Sequence, residues 1–235
     1  MRDTPTRRQV LVAVGATGAV GLAGCTGGGS TPTADGRGTS GDGTRTGSGD
    51  GGGETPTGQL SPPVEGDPEA DVTLAVYEDF ACPHCRDYDA NGYPALAEEF
   101  VATGQIRYEH RDLPIPVLDP ESFEAASAAR AVQDRHGDGA FWEYADALFS
   151  NQGALGSETP TLYADLAADL GYDGEVVRAD AVDRAYRETV TSDRQRGIDA
   201  GVEGTPGFVL NGEVVTSGFG DSTVETVRSA VEERL

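Results

Sequence analysis

Hydrophobic and polar positions alternate with a clear period only beyond about residue 67 of this chain. There, Val72-Thr73-Leu74-Ala75-Val76-Tyr77 is an almost unbroken apolar run of strand length, which predicts a first strand. A helix is expected from Pro83 to about Thr103, stopped by Gly104. Gln105 to His110 alternates and predicts a second strand. Pro114, Pro116 and Pro120 then break the chain ahead of a helical block expected at about 118–180. Within it, Phe141, Tyr144, Ala145 and Leu148 share one helical face, while Leu162, Leu166 and Leu170 follow at spacings of four. Thr159-Pro160 serve as cap and first turn of that second helix, and Gly171 as its stop. Gly207 to Leu210, Asn211-Gly212 and Glu213 to Thr216 predict a β-hairpin with a type I′ turn. A last helix opens on a Ser222–Glu225 capping box and carries Val224, Val227, Val231 and Leu235 on one stripe. The order of strand, helix, strand, helical block, hairpin and helix is that of an α/β domain spanning 67–235.

What precedes that domain has no such pattern. Thr26 to about Leu60 is almost wholly Gly, Thr, Ser, Asp and Pro, which cannot bury enough apolar surface to offset ordering entropy. The expectation is a flexible tether over 25–66. Residues 1–24 have the form of an export signal: Thr6-Arg7-Arg8-Gln9-Val10-Leu11 resembles a twin-arginine motif, and a Gly-diluted apolar run follows to Gly24. Leu22-Ala23-Gly24-Cys25 resembles a lipobox, which makes Cys25 the lipidation residue and holds the protein to the outer face of the cell membrane. The alternative is a plain signal peptide with a chance cysteine.

Charge changes the picture of the environment. The net charge is −23, from 40 acidic residues against 17 basic ones, and every basic residue is an arginine. Such a surface suits molar salt, where screening acts over about 3 Å and like charges hardly repel. A halophilic archaeal origin is expected, with GC-rich drift as the bland alternative. The charge argues against a nucleic-acid partner.

Three cysteines occur, and two of them form Cys82-Pro83-His84-Cys85 between the first strand and the helix. That context puts Cys82 at a helix N-terminus, where unpaired N–H groups and the macrodipole favour a thiolate, the nucleophile of disulfide exchange. Pro83 suits the first helical turn. His84 lies where it can donate a hydrogen bond or positive charge to Cys82, and the helix carries Cys85 inward as the more buried partner of an exposed Cys82. An inert disulfide is the simplest alternative. Zinc would need His110 or His136 as well, and structural zinc usually shows a second paired motif, absent here; no metal is expected. His110 reads as a strand residue, and Trp142 as core.

Asp79-Phe80-Ala81-Cys82-Pro83-His84-Cys85 and Val202-Glu203-Gly204-Thr205-Pro206 resemble the two signature segments of DsbA-like thioredoxin-fold proteins, over about Val72 to Leu235. The resemblance implies a thioredoxin-like fold with a helical insertion between the second strand and a cis-proline hairpin. It implies Pro206 in cis facing the disulfide, with the Thr205 backbone free to pair with an extended substrate. It implies a monomeric thiol–disulfide oxidoreductase with no cofactor beyond a redox-active Cys82–Cys85 disulfide, acting on exported proteins with cysteines and reset by a membrane redox partner. The Pro-His dipeptide favours disulfide donation; a reductase or isomerase is the alternative, and a lipoprotein binding module with a structural disulfide or metal site the non-enzymatic one. In one respect the chain departs from the pattern: many relatives carry a buried acid six residues before the first active-site cysteine, where this chain has Val76. Glu78 and Asp79 are the nearest acids.

Overall fold

The computed structural model of this chain describes residues 58–156 and 159–235. The expected export signal, Cys25 and the tether as far as residue 57 lie outside the described residues.

Strand β1 (Val64–Gly66) lies inside the expected tether and corrects its boundary. It pairs antiparallel with β3 (Arg107–Asp112), and β3 pairs parallel with β2 (Thr73–Glu78). No periodicity marks β1, because partners distant in sequence hold its approach. The Leu60 N–H donates to Thr189 Oγ1, Gln133 donates to the Ser61 carbonyl, and the Val64 N–H donates to Asp138. β4 (Gly207–Leu210) lies antiparallel on the other side of β2, and β5 (Glu213–Ser217) closes the mixed sheet in the order β1-β3-β2-β4-β5.

β2 is central and buried on both faces, which explains its continuous apolar run. Alternation sorts its residues. Leu74 and Val76 join the main core, opposite Leu210 and Phe208, while Ala75 and Tyr77 join a smaller one with Leu113, Val202 and Val209. Full burial of Leu74, Val76, Phe208 and Leu210 stabilises the fold by about 1.5–3 kcal/mol each.

The helix expected after Pro83 is broken. α1 (Pro83–Asn91) stops before Gly92, α2 (Tyr93–Leu96) is one turn, and Ala97–Val101 is a π-helical turn. Pro94 has no N–H for the bond that would join them. The helical block runs further than expected: α3 (Glu121–His136), α4 (Asp138–Ser150), α5 (Thr159–Asp169), α6 (Gly174–Val182) and α7 (Arg187–Ala200) all lie between β3 and β4. α7 covers the smaller core at Gly197, where a Cβ would stand 2.8 Å from the Tyr77 ring. The hairpin turn is as expected, with positive φ at both Asn211 and Gly212. α8 (Thr223–Glu232) buries Val227 and Val231, but Leu235 is exposed beyond its end. Its expected capping box does not form. Ser222 has helical rather than extended backbone angles and caps no amide, and Thr223 Oγ1 instead accepts from the Gly220 N–H at 3.0 Å.

Candidate active site around Cys82 and Cys85

Cys82 is the N-cap of α1 in extended conformation, with Pro83 as the first helical residue. The helix buries Cys85, Tyr88 and Asp89 on one face, so spacing turns the second cysteine inward. Both cysteines are free thiols. Cys85 is fully buried, and Cys82 is only 4% exposed, not the open thiol that the sequence suggests. The loop before β4 accounts for the difference: Cys82 Sγ lies 3.8 Å from the Thr205 carbonyl. Pro206 follows through a cis peptide bond.

The two sulfurs are driven apart in acidity. The Cys82 thiol is lowered to about 5, foremost because Cys85 donates its S–H to it; burial opposes this, and the Thr205 hydroxyl and the backbone N–H groups of Cys85 and His84 reinforce it. A Cys82 thiol donates to the Thr205 carbonyl, whereas a thiolate accepts from the Thr205 hydroxyl, whose oxygen is buried with no other protein partner among the described residues. Cys85 goes the other way. Burial pushes its thiol well above the ordinary value, and donation to Cys82 and the nearby Glu78 charge push further, against the Asp79 N–H that points at its sulfur from 3.4 Å.

His84 contributes differently from expectation. Its imidazole is exposed and makes no hydrogen bond among the described residues; its backbone N–H is what reaches Cys82. The helix geometry supplies the donor, and the ring points to solvent. Cys82, Cys85 and Thr205 are thus brought together, the His84 ring is not, and Cys25 lies outside the described residues.

Three further groups belong to the site. The Asp79 carboxyl, raised to about 6 mainly by burial, accepts from the Ala81 N–H (2.9 Å), the Ile115 N–H (2.7 Å) and Ser122 Oγ (2.8 Å). Gln152, buried in the turn after α4, donates from Nε2 to the carbonyls of Phe80 (2.7 Å) and Cys82 (2.9 Å). Behind Cys85, the buried Glu78 and Asp112 carboxylates flank His110, at 3.3 Å from Nδ1 and 3.2 Å from Nε2. Burial disfavours the imidazolium, but the two carboxylates outweigh it and raise the His110 pKa. Glu78 Oε1 is buried without a partner among the described residues. Glu78 is four residues before Cys82, on the same face of β2 as Val76, so the strand carries an acid one pleat nearer the thiols than in the relatives' pattern. No cluster of metal-ligating side chains occurs among the described residues.

The family model described as Thioredoxin matches residues 59–233. The chain belongs to the thioredoxin family. A Na(+)/H(+) antiporter NhaA 1 of Salinispora arenicola is 34% identical over 168 residues, 72% of this chain but only 24% of that protein. The chain therefore spans about a quarter of the length of that relative. A probable disulfide bond formation protein D of Bacillus cereus is 26% identical over 174 residues, covering 72% of this chain and 77% of its own length. Among solved structures, oxidised BdbD from Bacillus subtilis superimposes with a TM-score of 0.65 at 22% identity, covering 77% of this chain and 98% of its own. The fold is thus thioredoxin-like with inserted helices, and among the relatives that match over most of their own length is one named for disulfide bond formation.

Proposed function

We propose that this thioredoxin-family chain donates disulfides to exported proteins through Cys82 and Cys85. The observation that carries the direction is the Cys82 thiolate, held at about pKa 5. A stabilised thiolate favours the dithiol form, so the corresponding disulfide is a strong oxidant.

The reaction starts from the Cys82–Cys85 disulfide. A substrate thiolate aligned along Thr205, whose backbone N–H is unused among the described residues, attacks Cys82 Sγ. The S–S bond breaks and Cys85 leaves with its electron pair. Its high pKa makes it take a proton, and the buried Glu78–His110 pair is the store that supplies it. A second substrate thiolate then attacks the substrate sulfur of the mixed disulfide. Cys82 leaves as a thiolate, the substrate has lost two electrons, and the site is the dithiol described above. A membrane redox partner resets it by taking those two electrons.

Export by the twin-arginine route and anchoring through Cys25 are supported by the order of motifs at the N-terminus, and salt adaptation by the net charge of −23. The decisive measurement is the reduction potential of the Cys82–Cys85 pair. A value above the ~−270 mV of thioredoxin is expected, and one at or below it replaces the donor with a reductase.

A further inference from the structure

Asp79 to Cys82, the turn that joins β2 to α1, closes on itself through the Cys82 N–H and the Asp79 carbonyl at 3.0 Å. Its side-chain anchors from outside the turn and α1 come, among the described residues, from beyond β3. Ile115, in the loop after β3, and Ser122 of α3 hold the Asp79 carboxyl, which in turn holds the Ala81 N–H. Gln152 holds the Phe80 and Cys82 carbonyls from 72 and 70 residues away.

The Cys82 carbonyl also accepts from the Cys85 and Arg86 N–H groups, at 3.1 and 3.2 Å, as the first turn of α1. Its direction therefore fixes the peptide plane that leads into the helix. The His84 and Cys85 N–H groups that favour the thiolate follow within that same turn. Tilting the plane moves both donors off the sulfur.

We propose that Gln152 is a positioning residue through which the inserted helical block sets how oxidising the Cys82–Cys85 pair is, by holding the active-site turn so that the first-turn amides aim at Cys82 Sγ. A purely structural staple would affect folding alone. The inference rests on the disulfide chemistry proposed above, but concerns the difference between variants and wild type rather than the absolute potential.

The test compares full-length wild type with Gln152→Ala and Gln152→Glu. The readouts are the glutathione equilibrium of the thiol pair and the pH titration of Cys82 thiolate absorbance. Gln152→Ala should make the disulfide about tenfold less oxidising, ~30 mV for this two-electron couple, with the Cys82 titration moved upward in parallel. Gln152→Glu keeps the size but turns a donor into a carboxylate facing two carbonyls, so it should shift both readouts further, and it carries the test if the alanine variant does not fold. Val177→Ala, a buried change in α6 away from the turn, should lower the unfolding midpoint and leave both readouts in place. Wild-type readouts in a folded Gln152 variant overturn the inference, as does an equal shift in Val177→Ala. A wild-type potential at or below that of thioredoxin instead sinks the donor reading and leaves the comparison of variants standing.

Discussion

The Asp79 N–H points at the Cys85 sulfur from 3.4 Å, and the Asp79 carboxyl on the same residue holds the Ala81 N–H just ahead of Cys82. One residue thus touches the surroundings of both thiols. Even so the thiols titrate far apart, with Cys82 lowered to about 5 and Cys85 raised well above the ordinary value.

That separation predicts the pH dependence of the reduction potential. Above pH 5 the dithiol form carries one proton on the pair, so the potential should fall by about 30 mV per pH unit. Below pH 5 it carries two, and the slope should steepen to about 59 mV. Redox equilibria from pH 4 to 8 would show the break; a steep slope persisting through pH 7 means that Cys82 is an ordinary thiol.

Stability should follow the same titration. A thiol whose folded pKa lies below its unfolded value stabilises the dithiol fold fully above about pH 8.5, and this is lost as pH falls through about 5. The disulfide form lacks that group. Asp79, raised to about 6, acts with the opposite sign: its burial penalty is present above pH 6 and relieved on acidification. Because Asp79 is present in both forms, the dithiol-minus-disulfide difference should still grow from pH 5 to 8, at up to about 1.4 kcal/mol per unit. Paired unfolding curves of the two forms check this; a flat difference contradicts the Cys82 assignment.

Single-cysteine variants separate the two roles. Cys82→Ser should abolish exchange, since the attacked sulfur is gone. Cys85→Ser should still form mixed disulfides with substrate but be unable to close the intramolecular bond. Trapping experiments in which Cys85→Ser accumulates no mixed disulfide would reverse the assignment.

Glu78→Gln tests the proton store. The amide keeps a hydrogen-bonding group beside His110 but lacks the carboxylate charge that holds the proton on the imidazole. Cys85 should become more acidic, because the Glu78 charge is, after burial, among the causes that raise it. Proton-coupled release of Cys85 should slow by about a hundredfold at neutral pH. Stopped-flow exchange at wild-type speed rules the store out.

Salt should matter more than for an ordinary domain. With 40 acids against 17 arginines, the unfolding midpoint should climb steeply from dilute buffer to molar KCl as repulsion is screened and apolar burial strengthened. A midpoint flat across that range removes the halophile reading without touching the chemistry.

Fractionation tests the anchor. Cys25→Ser should release the protein from membranes into the medium or leave the precursor uncleaved. Identical fractionation of variant and wild type would mean that the lipobox is a coincidence.

The elements that sequence reasoning recovered are those whose cause is local. β2 shows its burial as an apolar run, the hairpin shows its turn as Asn211-Gly212, and Cys82 shows its helix position through Pro83. β1 could not be found this way, since its approach is fixed by Thr189, Gln133 and Asp138. His110 reads as a strand residue and lies in β3, but periodicity gives a face and not the neighbours across it, so the flanking Glu78 and Asp112 are not legible in the pattern. Gln152 carries no signal of its own: a polar residue after a helix looks like any surface turn until the carbonyls it serves are folded against it.

Arg130 shows what such long-range partners do for motion. It is fully buried in α3 and bonded to Asp112 of β3 at 2.7 Å and to Asp193 of α7 at 2.8 Å. The inserted helices cannot swing away from the sheet without stranding that guanidinium, and losing one partner of a buried pair costs about 3–5 kcal/mol. Ions in the medium cannot reach the joint to weaken it, unlike the charges on the surface. Sheet and insertion should therefore travel through the exchange cycle as one body, leaving adaptation to different clients to the loops at the rim.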